Sequence, residues 1–343
     1  MSMDDLFSDA ARQLLSDQCT PQQVRAIECG GSPQAMWSFL EEAGFTDALV
    51  PEAQDGAGLL LAQVFDVLEL CGSFALPVPL AETMLARALL AQAGAQRPAG
   101  SCALAQGQRM ADGGLLCDIV RLGRVADSVL VASDAGWHVL SVAHAKTIPS
   151  AFCLDASLQW TAEQLAAAVH VNVQLAGKCD IRTLQACLYA AQLSGALSAV
   201  FQRTLQYAND RNQFGRPIGK FQAIQHQLAV MSEHVFAARM AAQLGCSGDG
   251  VVPERLRVAV AKARASEAAL VVAELSHSIH GAIGFTEEYD LQLFTRRLHV
   301  WRQAAGTESY WHSVAGAYLV DQHQGLTLDL IRQTTDLPSS NKI

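Results

Sequence analysis

The 343-residue chain has no uninterrupted apolar run approaching the ~18 residues a membrane-spanning helix needs, although half of its residues are hydrophobic. Its opening, MSMDDLFSDAARQLL, lacks the basic start and apolar stretch of a secretion signal and the Arg-rich bias of an organellar presequence. The expected location is therefore the cytoplasm, with no membrane partner. Clusters of Lys and Arg are missing as well. With 24 basic against 33 acidic residues the net charge is −9, so nucleic acid is not an expected partner. None of the nine cysteines forms a C-x-x-C pair, and several sit in apolar runs, as Cys187 does in LQACLYAAQL. The expectation is reduced, buried thiols behaving as small hydrophobes, with no metal or redox role. No internal repeat is present.

What the chain does have is a change of periodicity, twice. Segments such as DDLFSDAARQLLSDQ, PQAMWSFLEEAGF and LAETMLARALLAQAG carry apolar residues at helical spacing and are punctuated by Gly and Pro clusters, which predicts an N-terminal helical domain over 1–96. Residues 97–177 read as strands. ADSVLVASDAGWHVLSV alternates around Asp134-Ala135-Gly136 as a hairpin does, and GSCALAQG, GLLCDIVRLG and HVNVQLAG are strand-like, which predicts a small middle β domain. From 178 to 330 the pattern is helical again, in long segments at 181–209, 219–246, 253–280 and 305–321 with short polar joints, which predicts an antiparallel four-helix bundle. Residues 331–343 read as a frayed tail. The fold class expected is mainly α.

Three motifs can carry chemistry. In the first, Tyr207 to Gln222, one helix gives way to the next across a joint that displays Arg211, Gln213, Phe214 and Gly215. A guanidinium there can fork onto phosphate oxygens and a ring can cover a heteroaromatic face. The same residues also suit a plain helix–helix turn with a structural Phe and a solvated Arg. In the second, His277-Ser278-Ile279-His280-Gly281-Ala282-Ile283-Gly284-Phe285, a helix runs into small residues that let a ligand approach, or simply stop the helix. In the third, Ala304-Ala305-Gly306-Thr307-Glu308, the Thr307 hydroxyl opens a helix, as a cap or facing a pyrophosphate. His277 and His280 lie three apart on one helical face, but no Cys or carboxylate partner at suitable spacing accompanies them, so no metal is expected. Trp301, Tyr310 and Trp311 read as core or interface.

In their order and spacing these motifs, R-x-Q-F-G-x-P-I-x-x-F-Q, then H-G-x-x-G-F-T-x-E-x-x-L, then G-T, resemble the C-terminal domain of acyl-CoA dehydrogenases. Pro51-Glu-Ala-Gln-Asp-Gly56-Ala-Gly58, followed by a helix and then Pro77-Val78-Pro79, resembles the family's P-E-x-x-G-G-x-G stretch, so the resemblance covers about residues 4–320. Val125 to Val131 (VADSVLV) is similar to the compact dehydrogenases of sterol degradation, in which two different chains form mixed tetramers. The resemblance implies the three-domain acyl-CoA dehydrogenase fold, an FAD cofactor at a subunit interface, an acyl-CoA substrate and an electron-transfer flavoprotein as acceptor. It implies that Arg211, Phe214 and Gln222, then Ser278, His280, Gly281 and Ala282, hold the pyrophosphate and adenine end of a neighbour's FAD, with Thr307 facing the flavin.

Two departures stand beside that resemblance. The reaction needs a carboxylate base for the α-proton. Of the family's two positions for it, one is Ala305 here and the other is Gln185, whose amide takes up no proton near neutral pH. No catalytic base is therefore assigned. The T-E-P-x-x-G-S-D loop and the W-x-T/S strand are also absent from 97–177. The leading expectation is a dehydrogenase subunit acting on a bulky or steroid-derived acyl-CoA, whose partner chain carries the base. A self-sufficient homotetramer using Glu267, Glu274 or Glu308, and a non-enzymatic scaffold subunit, are the alternatives.

Overall fold

The computed structural model describes residues 3–336, so the expected tail beyond residue 336 lies outside the described residues. The chain is mainly α-helical with a smaller β region, and it divides into two compact units. Unit one takes the chain through Val67, Leu76–Gln185 and the short return Asp249–Val252; unit two takes Leu68–Ala75, Ala186–Gly248 and the chain from Pro253 onward.

In unit one the helices are α1 (Met3–Gln18), α2 (Pro21–Glu28) and α3 (Gln34–Glu42), the last beginning directly after the Gly30-Gly31-Ser32-Pro33 punctuation. Thr20 accepts from the Gln23 amide and Gln23 reaches back to Thr20, a capping box with Pro21 in the first turn. After α4 (Phe65–Ser73), helix α5 (Leu80–Gln92) is buried at every position from Leu80 to Ala91. That burial includes Arg87, which is held by Glu41 at 2.7 Å, Asp47 at 2.6 Å, Thr46 at 2.9 Å and the Gly100 carbonyl at 3.0 Å. A buried guanidinium is tolerated only with that degree of pairing.

The β region follows as two four-stranded sheets. One runs β1 (Cys102–Gln106), β4 (Ser128–Ser133), β5 (Gly136–Ser141), β8 (Val169–Val171); β1 and β4 are parallel and the others antiparallel. The other is antiparallel, in the order β2 (Gln108–Arg109), β3 (Leu115–Val120), β7 (Ala156–Trp160), β6 (Lys146–Pro149). The expected hairpin is present, with Ser133 opposite Gly136 across Asp134-Ala135. Ala103, Leu115, Val129, Val131, Leu158 and Trp160 interlock between the sheets, and the Trp160 indole donates to the Ser141 carbonyl at 2.9 Å. Thr161 then caps the short helix α6 (Ala162–Ala167).

Unit two is built on α7 (Ile181–Asp210), α8 (Gln222–Cys246), α9 (Arg255–His280), α10 (Leu291–Gln303) and α11 (Glu308–Asp321). Cys187 near the start of α7 meets Cys246 at the end of α8, Sγ to Sγ 3.6 Å, so these two run antiparallel. A Cβ on Gly245 would stand 2.7 Å from the Ala261 Cβ, so α8 and α9 are antiparallel too. α10 has no counterpart among the segments expected from the sequence. It lies antiparallel along α9, with His277 bonded to Thr295 at one end and Ser266 to the Arg302 carbonyl at the other. Helix α12 (Thr327–Thr335) also carries regular structure into the segment expected as a tail, begun by Asp329 accepting from the Leu326 amide.

Two segments, Ile181–Asp210 and Arg255–Phe285, have the length and mean hydropathy of a membrane span; the apolar window of the first is 83% buried inside the chain, as a core helix is, and that of the second 44%. Trp301 and Trp311 are buried, in line with their expected core role. Among the described residues no three metal-ligating side chains converge.

Candidate functional site

Where α7 ends, the chain forms a miniature hairpin. β9 (Asn212–Gln213) and β10 (Arg216–Pro217) pair antiparallel, with Gln213 opposite Arg216 and Phe214-Gly215 as the loop. Both loop residues have positive φ, 53° and 79°, as a two-residue hairpin turn of this hand requires. Asn or Gly normally takes the first place; a bulky residue there costs about 1–2 kcal/mol. Phe214 carries that cost and buries almost nothing in return, for its side chain is 90% exposed. Strain held at an exposed ring points to a ligand or a neighbouring chain. The hairpin is steadied by Phe221, whose ring meets Phe214 edge-on at 6.2 Å and carries the Arg216 guanidinium 4.2 Å above it.

Arg211 stands at the foot of the hairpin. Its N–H donates to the Tyr207 carbonyl at 2.9 Å and its carbonyl accepts from Ile218 at 2.8 Å, so the backbone is fixed on both sides. The side chain is exposed, and no carboxylate among the described residues pairs with it. The facing wall is the end of α9. His280 is buried between the Ser276 carbonyl, 2.7 Å from Nδ1, and the Tyr289 hydroxyl, 3.2 Å from Nε2. Burial lowers the His280 pKa, so the ring is neutral near pH 7, and burial raises that of Tyr289, so the phenol keeps its proton. Nδ1 therefore carries the imidazole proton and Nε2 accepts. Tyr207 stacks on this ring at 4.4 Å and donates to the His280 carbonyl at 3.3 Å. Gly281 then turns the chain at φ 65°, ψ −144°, a backbone only glycine adopts readily, with open space where a side chain would be.

Between these walls lies a groove of about 380 Å³. It gathers five of the eight residues singled out in the sequence: Arg211, Phe214, Ser278, His280 and Gly281. Gln222, the first residue of α8, and Ala282, next to Gly281, are exposed and lie outside the lining. Thr307 is also outside it. Its Oγ1 accepts from the Tyr310 amide at 3.4 Å, the capping role open to it from sequence. Tyr207, Gln213, Ile218, Phe221, Ile224 and Ile279 complete the groove and were not among those eight. Tyr207 was legible in principle, since it lies one helical turn before Arg211 on the same face. Unit one has its own cleft of about 670 Å³, between Arg109, Asp134, Trp137 and Asp180.

Neither of the two positions at which the resemblance led us to expect a base carries a carboxylate. Gln185 donates from Nε2 to the Leu104 carbonyl at 2.9 Å. Ala305 sits at φ 54°, its carbonyl accepting from the Trp311 indole at 3.0 Å. Of the alternatives, Glu267 is paired with Arg264 and His312, and Glu274 is exposed on α9. Glu308 accepts from Arg302 through Oε1, while its buried Oε2 has no partner among the described residues.

The C-terminal domain of acyl-CoA dehydrogenases matches residues 184–315. The acyl-CoA dehydrogenase IpdE2 of Mycolicibacterium smegmatis is 30% identical over 307 residues, 88% of this chain and 94% of the relative. The chain belongs to the acyl-CoA dehydrogenase family. Among solved structures, the ChsE4–ChsE5 complex from Mycobacterium tuberculosis superimposes with a TM-score of 0.79 at 21% identity, covering 94% of this chain and 98% of the other. A steroid acyl-CoA dehydrogenase pair, Tcur3481–Tcur3483, gives 0.76 at 24% identity, covering 92% and 97%. The mainly α acyl-CoA dehydrogenase fold expected from the motifs is thus the fold found. Members of the family are FAD-dependent oxidoreductases acting on the CH–CH bond of acyl-CoA thioesters. The groove fits one end of that cofactor: a cation with no carboxylate partner among the described residues, an exposed ring, and glycine backbone open to a close approach stand within one surface.

Proposed function

We propose that this chain is the FAD-clamping subunit of a hetero-oligomeric acyl-CoA dehydrogenase that desaturates a bulky, steroid-derived acyl-CoA at its α,β bond. The observation that carries the proposal is Phe214, strained and exposed beside an Arg211 that no carboxylate among the described residues neutralises. In this reading Arg211 forks onto the pyrophosphate and Phe214 covers the adenine, with Gln222 beside them. Ser278, Gly281 and Ala282 give the close backbone wall, and neutral His280 shapes it without adding charge. FAD held there would supply the acceptor for the hydride of the β-carbon. The α-proton goes to a carboxylate of the partner chain, because Gln185 and Ala305 offer no base. Thr307 faces the flavin, and an electron-transfer flavoprotein takes the electrons onward. The site of action is the cytoplasm. Pairing of two unlike chains is supported by the resemblance to the sterol-degradation type and by the two-chain neighbour ChsE4–ChsE5.

The test is to purify this chain alone and together with the dehydrogenase chain encoded beside it, and to measure flavin content and acyl-CoA oxidation. The expected result is stoichiometric FAD and activity in the pair only, with flavin lost on Arg211→Ala. Stoichiometric FAD and activity in the chain alone would refute the division of labour.

A second reading, a self-sufficient homotetramer with a displaced base, is favoured by one observation: the buried Oε2 of Glu308, next to Thr307, has no partner among the described residues. Full activity in Glu308→Gln removes it.

A further inference from the structure

A lysine with no exposed surface lies under the turn that joins α10 to α11. Lys262 donates from Nζ to Ser266 Oγ at 2.9 Å, to the Arg302 carbonyl at 2.8 Å and to the Gly306 carbonyl at 3.0 Å, which uses all three ammonium protons. Ser266 Oγ donates in turn to the same Arg302 carbonyl at 3.2 Å. Burying an ammonium is costly, so its position is informative. The Arg302 carbonyl is one of the last-turn acceptors of α10 left without an intrahelical partner, and a cation there also suits the negative end of the helix. The Gly306 carbonyl is different, because it belongs to the peptide bond that Thr307 completes.

We propose that Lys262 is a positioning residue for Thr307: by fixing the Gly306 carbonyl inward it sets the direction in which the Thr307 hydroxyl is offered to the flavin. The peptide bond is trans, so its C=O and N–H point in opposite directions. With the oxygen held against a buried ammonium, the Thr307 N–H points away from the core, alongside an exposed side chain. The turn cannot relax by itself. Ala305 and Gly306 have φ of 54° and 102°, and a Cβ on Gly306 would meet the Tyr310 ring at 2.7 Å. The Trp311 indole holds the Ala305 carbonyl, and the Arg302–Glu308 ion pair closes the loop across its mouth. Lys262 is the member of this set that reaches the peptide of Thr307 itself. The inference rests on the reading of Thr307 as flavin-facing.

The experiment uses the flavin-loaded complex, stripped of FAD and titrated with FAD, in the variants Thr307→Ala, Lys262→Met, Ser266→Ala, the Lys262→Met/Thr307→Ala double and Arg211→Ala. The readouts are the FAD dissociation constant and the visible flavin spectrum. Thr307→Ala is expected to weaken FAD about tenfold, Lys262→Met by a similar factor, and the double no more than either alone, since one acts through the other. Ser266→Ala is expected to shift both readouts in the same direction by less, and decides the matter should Lys262→Met fail to fold. Losses that multiply in the double variant mark a merely structural lysine and overturn the inference. So does a Thr307→Ala effect that neither Lys262→Met nor Ser266→Ala shares. Should Thr307→Ala bind FAD normally while Arg211→Ala does not, the inference falls and the clamp reading stands; retention of FAD by Arg211→Ala defeats the clamp reading itself.

Discussion

The side-chain amide of Gln185 is bonded to the carbonyl of Leu104, Nε2 to O, at 2.9 Å. A base at the position the resemblance assigns to Gln185 would have to be a carboxylate, whereas here the Leu104 carbonyl of β1 receives a donor. Gln185→Glu would set a carboxylate against that carbonyl and lose the bond. The expected outcome is a loss of about 1–3 kcal/mol, read as a lower urea midpoint, with no dehydrogenase activity gained by the chain alone. Desaturation of an acyl-CoA by this variant, at unchanged stability, would show that the seat is a base position after all.

Phe214 separates stability from binding. Its φ of 53° is easy for glycine and costly for phenylalanine, and its ring buries little within the chain. Phe214→Gly should therefore raise folding stability by up to about 1 kcal/mol while weakening FAD in the complex. Urea unfolding and FAD titration on the same preparation check both halves. A variant both less stable and unchanged in FAD affinity would mean that the ring serves the fold.

The parts of this molecule legible in the sequence are those that depend on neighbours along the chain. The hairpin at Asp134-Ala135, the cap at Thr307 and the long segments of α7, α8 and α9 follow from period and punctuation. α10 was not legible. Its residues 291–303 carry Arg296, Arg297 and His299 among the apolar positions, and Arg297 is buried, bonded to the Leu293 carbonyl at 3.0 Å, so charge broke the expected stripe. At the site, the order of motifs gave Arg211, Phe214 and His280, but a stretch of sequence does not show that Tyr207 stacks on His280 from another helix. Nor did it mark Lys262, because a lysine amid AVAKARASEAA reads as a solvated position until its contacts are known.

Acidification should loosen the site through His280. Burial is the main cause of its lowered pKa, the neighbouring His277 adds to it, and the Ser276 carbonyl opposes it. The unfolded chain then takes up a proton near the ordinary value of 6.5 while the folded ring resists, so stability is full above 6.5 and falls as pH drops below it. His277, His299, His138 and His234 are shifted downward as well and add in the same sense. Urea midpoints at successive pH values from 7.5 to 5.5 should therefore decline, and His280→Asn, which removes one titrating ring, should flatten the decline. An equally steep curve in that variant would place the pH response elsewhere.

The approach of α4 to α7 offers the sharpest contrast between two substitutions of one kind. A Cβ on Gly195 would lie 1.8 Å from the Glu69 carbonyl oxygen, and one on Gly72 would lie 1.8 Å from that of Gln192. Both obstacles are backbone, which cannot swing aside, and Glu69 is further anchored by Arg239, whose Nε reaches its two carboxylate oxygens at 3.0 and 3.1 Å. Gly195→Ala must push the helices apart and is expected to cost about 3 kcal/mol or more. Gly316, within α11, has nothing within 4 Å of its missing side chain, so Gly316→Ala should stabilise by about 0.5–1 kcal/mol through helix propensity alone. Chemical unfolding of the two variants side by side checks the pair. Equal effects would mean that the Gly72–Gly195 crossing is looser than these distances require.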